Sequence, residues 1–144
     1  MFVIEAAEPG APGVAESVAA LLPLLTTSAP PPSPAEVDEI AASTATTLFV
    51  ARDGEGGPIV GTLTLALFRI PSGIRAWIED VIVSESVRGR GCGEELTQAA
   101  LDAARQAGAR TVELTSRPSR EAANRLYRRL GFEVRETNVY RYEL

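Results

Sequence analysis

The stretch from Ala76 to Thr115 limits the possible folds more than any other part of the chain. Ala76–Val83, "AWIEDVIV", is dominated by β-branched and aromatic residues and reads as a strand. A turn carrying Gly89, Gly91 and Gly93 follows, and from there Cys92, Leu96, Ala99, Ala100, Ala103 and Ala107 recur at helical intervals. Gly108 supplies a left-handed stop, and Arg110–Thr115 reads as a second strand. A strand, a crossover helix and a strand make a parallel pair, which leaves its ligand crevice at the carboxyl ends of the strands. The spacing therefore predicts an α/β protein whose glycine-rich turn sits at the ligand end.

The flanking segments fit around that unit. Phe2–Glu5 reads as a short strand, and Val14 to Leu25 as a helix with Val14, Val18, Leu21, Leu22 and Leu25 on one stripe. "TSAPPPSP" is an extended connection, because prolines remove donors and fix φ; its Ser33-Pro34 is an N-cap and first position for a helix running to about Ala42. Thr47–Arg52 and Ile59–Phe68 read as antiparallel strands on either side of a turn at Asp53–Gly57. Alternation along Ala76–Val83 places Trp77, Glu79 and Val81 on one face and Ile78, Asp80 and Ile82 on the other, so Glu79 and Asp80 point oppositely unless a bulge intervenes. A last helix is expected from Pro118 or Ser119 to Gly131, with strands near Phe132–Glu136 and Val139–Leu144 closing the chain.

Composition removes several chemistries. One cysteine, Cys92, allows no internal disulfide, and the lack of histidine leaves no transition-metal cluster and no Ser-His or Cys-His nucleophile. All 14 basic residues are arginine, which excludes a Walker lysine and a Schiff base. A net charge of −5 argues against nucleic acid as a partner. A chain of 144 residues suits one domain, 1–144. Apolar runs such as Leu63–Phe68 are too short to cross a bilayer and no basic-then-apolar leader opens the sequence, so a soluble, cytoplasmic protein is expected.

The glycine turn is also where chemistry concentrates. Bare backbone at 89, 91 and 93, the partial positive charge of a helix start, and the guanidinium groups of Arg88 and Arg90 suit an anion, and two phosphates in series better than one. A dinucleotide site would want glycine at position 94, which is Glu94, although Glu113 stands at about the distance of a ribose-binding acid. A dinucleotide-binding oxidoreductase is thereby weakened but stays an alternative.

"Arg88-Gly89-Arg90-Gly91-Cys92-Gly93" resembles the acyl-coenzyme A pyrophosphate loop, R/Q-x-x-G-x-G/A, of the GNAT superfamily of N-acetyltransferases. "Ala123-Asn124-Arg125-Leu126-Tyr127-Arg128-Arg129-Leu130-Gly131-Phe132" resembles the second signature of that superfamily, A-x-x-L-Y-x-x-x-G-F. The resemblance covers 48–144 well, as the acetyl-coenzyme A-binding core, and matches 1–47, the variable helices over the acceptor, only in outline. It implies a GNAT-like acyl-CoA N-acyltransferase fold, with a mixed central sheet whose parallel strands splay apart and are flanked by helices. It implies acetyl-coenzyme A as co-substrate, no metal, and acetylation of a small-molecule or peptide primary amine by direct attack in a ternary complex. A noncatalytic acyl-coenzyme A sensor is the alternative of a different class. The resemblance further implies a homodimer through pairing of the C-terminal strands, while the short apolar runs imply no membrane partner.

Residue by residue, the resemblance places pantetheine against the backbone of Val81, Ile82 and Val83, and pyrophosphate on Arg88, Gly89, Arg90, Gly91, Cys92, Gly93 and Glu94. Tyr127 would be the general acid for the departing thiolate, unless it serves only the core. Asn124 would hydrogen-bond the pantetheine arm, although relatives carry an Asn where this chain has Arg120. Glu79 would deprotonate the acceptor, with Asp80 or a water chain as alternatives. Arg117, Arg120, Arg125, Arg128 and Arg129 cluster where one or two would reach the ribose phosphate. Cys92 falls on the apolar stripe of its helix, which favours packing over a covalent acyl-enzyme.

Overall fold

The computed structural model describes residues 1–144. A five-stranded sheet has the order β1-β2-β3-β4-β5, formed by β1 (Phe2–Ala6), β2 (Thr46–Asp53), β3 (Ile59–Ile70), β4 (Gly73–Val83) and β5 (Val112–Glu113). The first four strands pair antiparallel; β5 pairs parallel to β4 because helix α3 (Cys92–Gln106) carries the chain back between them. Helices α1 (Val14–Leu21) and α2 (Pro34–Ala42) lie between β1 and β2 in sequence, and α4 (Glu121–Arg129) follows β5.

Alternation along β2 builds the layers. Leu48 and Val50 pack with Val14 of α1 and Val37 of α2, while Phe49 and Ala51 pack on the opposite face with Leu96, Ala100 and Ala104 of α3. All four central residues of β2 are thus buried, and the sheet has helices on both faces. Gly61 on β3 lets α3 sit close: a Cβ there would lie 2.9 Å from Cys92 Sγ and 3.0 Å from Leu96 Cδ1. At α2, Ser33 Oγ accepts from the Glu36 amide at 3.2 Å while the Ser33 amide donates to Glu36 Oε1 at 2.9 Å, a reciprocal cap with Pro34 at the first position.

Four expectations need correcting. The first helix ends at Leu21 and a short 3-10 turn, Leu22–Leu24, completes the segment because Pro23 lacks an amide hydrogen. Strand β5 holds two residues, not the span Arg110–Thr115. Helix α4 begins at Glu121 rather than near Pro118, because Asn124 Nδ2 donates to the carbonyls of Arg117 and Arg120, at 2.9 and 2.8 Å, and keeps the preceding residues in a turn. No strands form at Phe132–Glu136 or Val139–Leu144; Val134, Val139, Tyr140, Tyr142 and Leu144 are exposed. An alternating pattern yields a strand only beside an edge that can bond it, and β5 offers two residues of edge. No helix is long and apolar enough to cross a membrane.

Candidate active site

The site begins where the parallel strands part. Strands β4 and β5 are in register only at Ala76 with Val112 and Trp77 with Glu113. Beyond that point they splay, and a cavity of about 110 Å³ opens between Ile78–Val81 on one side and Leu114 and Thr115 on the other. Arg120 and Tyr127 close it from the α4 side, and Leu25 reaches it from the N-terminal segment. A larger cleft of about 670 Å³ lies between α3, α4 and the C-terminal segment, and Tyr127 lines both. The smaller cavity gathers the acid–base groups; the larger one holds Glu113, which is already tied to Arg135 at 2.8 Å and Arg75 at 3.9 Å.

A bulge in β4 assembles the carboxylates. Thr62 pairs with Ile82 but Thr64 pairs with Glu79, so two residues of β4 stand opposite one of β3. Asp80 takes up the excess with φ 49, the only non-glycine positive φ in the chain. A left-handed conformation costs an L-residue about 1–2 kcal/mol, less for Asp than for most. Its consequence is that Glu79 and Asp80, which simple alternation sends to opposite faces, line the same cavity. Neither carboxylate is ion-paired. Partial burial raises the Glu79 pKa above the ordinary carboxylate value, and the charge of Asp80 adds to the rise.

Tyr127 combines packing and chemistry. Its ring is buried and meets Phe132 edge-on, with centroids 5.6 Å apart. Burial raises the phenol pKa, which the nearby positive charge of Arg120 partly counters, so the hydroxyl keeps its proton at neutral pH. Tyr127 lines the cavity that holds Glu79.

The glycine turn separates three glycines by role. Gly89 and Gly91 have φ of 79 and 88, and a Cβ on either would meet nothing within 4 Å, so that side is open to a ligand. Gly93 instead permits packing: its Cβ would lie 3.2 Å from Leu126 Cδ2, where α3 meets α4. No side chain caps α3, and the first helical bond is Glu95 N to Gly91 O. The amides of Cys92, Gly93 and Glu94 therefore point outward from the helix start as donors. These open amides, beside a splayed strand pair, fit a pyrophosphate with an extended arm, as the pyrophosphate and pantetheine of coenzyme A would present.

Several predicted side chains have other employment. Arg90 forms a two-pronged ion pair with Asp53, at 2.9 and 3.1 Å, and lies over the Phe2 ring at 5.1 Å, so its guanidinium braces β1 and β2. Arg88 carries no ion pair and is the free guanidinium of the turn. Glu94 pairs with Arg129 at 3.3 Å. Cys92 is buried in the core and its thiol pKa is pushed up to about 11, chiefly by burial, which leaves no thiolate for a covalent acyl-enzyme. Asn124 spends both amide hydrogens on its own turn. Of Val81–Val83 only Val81 lines the cavity; Ile82 and Cys92 are buried in the core. Sequence reasoning missed Leu25 and Thr115 in the cavity and the buried Ser116 hydroxyl, which has no partner. Only the chain direction toward the crevice pointed to the two that follow β5.

Comparison with known proteins agrees with this geometry. Residues 18–132 match the family model described as acetyltransferase (GNAT) family. The chain is 38% identical over 71 residues to N-alpha-acetyltransferase 30 of Schizosaccharomyces pombe, which is 49% of this chain and 47% of that protein. It is 33% identical over 88 residues to the L-methionine sulfoximine/L-methionine sulfone acetyltransferase of Pseudomonas aeruginosa, 60% of this chain and 51% of that one. The chain thus spans about half the length of these curated relatives. A crystal structure of a Trypanosoma brucei acetyltransferase superposes with a TM-score of 0.76 at 29% identity, covering 100% of both chains.

Proposed function

The chain belongs to the GNAT acetyltransferase family, and from that premise we propose that it moves an acetyl group from acetyl-coenzyme A to a primary amine by direct attack in a ternary complex. The family leaves the dinucleotide alternative without support. One observation carries the reading: Glu79 and Tyr127, a base and an acid, line a single cavity between two splayed parallel strands.

In this reading the outward amides at the start of α3 and the Arg88 guanidinium hold the pyrophosphate. Backbone of Val81–Val83 aligns the pantetheine arm and sets the thioester carbonyl in the cavity. Glu79 takes a proton from the acceptor ammonium, directly or through water; its raised pKa makes it a better base than an ordinary carboxylate. The freed amine attacks the carbonyl carbon, the C–S bond breaks, and Tyr127 gives its proton to the leaving thiolate. Residues 1–47 supply the acceptor wall, as the presence of Leu25 in the cavity supports. The names of the relatives favour an acceptor whose amine is an α-amine.

The test is thiol release from acetyl-coenzyme A with primary amines spanning polyamines, aminoglycosides, amino acids and peptide N-termini. Tyr127→Phe keeps the ring against Phe132 and removes only the proton, so kcat should fall by about 100-fold or more with the KM for acetyl-coenzyme A near normal. Binding of acetyl-coenzyme A without thiol release from any amine would favour a noncatalytic sensor.

A further inference from the structure

Arg120 is the third charged group in the cavity, and acetyl transfer itself gives it no task. Its backbone is fixed: the amide donates to Arg117 O at 3.0 Å, and the carbonyl accepts from Asn124 Nδ2 at 2.8 Å. Its guanidinium is not. Six arginines, at 52, 75, 90, 105, 129 and 135, hold carboxylates, and Arg120 does not, although Glu79 and Asp80 line the same cavity. The cavity therefore presents two free carboxylates on the β4 bulge and one free cation on the α4 side.

A simple amine answers only half of that arrangement. Its ammonium suits Glu79 and Asp80, but it approaches an unpaired guanidinium of the same sign. An acceptor with a carboxylate beside its ammonium answers both. The cavity is small, about 110 Å³, which favours an acceptor that carries its two charges close together. Resting on the acetyltransferase reading above, we infer that the acceptor is a free α-amino acid, whose carboxylate is held by Arg120 while its ammonium faces Glu79 and Asp80. A peptide N-terminus offers Arg120 a neutral amide in place of that carboxylate.

The probes are L-amino acids, each paired with its α-carboxamide, followed by thiol release from acetyl-coenzyme A. The free acid should exceed its carboxamide in kcat/KM by about 10- to 100-fold, the worth of one charge-assisted pair. Arg120→Gln should bring the two within about threefold of each other by raising the KM for the free acid, with the KM for acetyl-coenzyme A within about twofold, and Arg120→Lys should restore part of the preference. Equal turnover of acid and carboxamide, turnover only of amines outside both sets, an unchanged preference in Arg120→Gln, or a rise confined to the KM for acetyl-coenzyme A would each overturn the inference and leave acetyl transfer standing. If acetyl-coenzyme A neither raises the unfolding midpoint nor releases thiol with any amine, the acetyltransferase reading fails and this inference with it.

Discussion

Asp80 shows how one residue alters a site. By accepting φ 49 it turns two carboxylates toward one cavity, and its charge then helps to keep the Glu79 pKa high. Burial chiefly, with the Asp80 charge in addition, raises the pH at which Glu79 becomes a base, so the acidic limb of kcat/KM should lie above the usual carboxylate value. Asp80→Asn removes the like charge and should move that limb to lower pH; a limb that stays put would separate Glu79 from the proton transfer. The same rise has a stability sign: the contribution of Glu79 is present below its unfolded pKa and is lost as pH rises through its folded pKa. At the turn, Gly91→Glu places a carboxylate where the φ is 88 and the space is open to the ligand. Acetyl-coenzyme A should then fail to raise the unfolding midpoint, whereas normal affinity in that variant would refute the loop assignment.

At the scale of elements, the seat of α3 on the sheet depends on Gly61. A Cβ there would meet Cys92 Sγ at 2.9 Å, Leu96 Cδ1 at 3.0 Å and the Ile82 carbonyl at 3.3 Å. Side chains yield more easily than the backbone of β4, so Gly61→Ala should destabilise by about 1–3 kcal/mol in a denaturant titration. Helices were legible where a cap or a stripe marked them: Ser33 and Pro34 announce α2, and the apolar stripe from Cys92 to Ala107 announces α3. Strand β5 and the C-terminal strands were not, because pairing is a property of two segments. "FEVRETNVYRYEL" alternates like a strand, but only a partner edge could have made it one.

For the whole molecule, the proposed binding site is shared among β4, the turn before α3, and the turn before α4, so a bound ligand should stabilise the native state as a unit. At 100 times its Kd, acetyl-coenzyme A should contribute about 2.7 kcal/mol and raise the unfolding midpoint by roughly 5–10 °C, with NADH giving no rise. The sequence by itself determined the βαβ unit, the glycine-rich turn and the family signatures, because these are local: periodicity, glycine placement and helix starts are set by neighbours along the chain. Only the tertiary structure decided that Glu79 and Asp80 share a cavity, that Arg90 is spent on Asp53, and that Arg120 stands unpaired beside Tyr127. Each depends on which distant group a side chain meets. The register shift in β4 and the splay from β5 arise between strands, and no single strand encodes them.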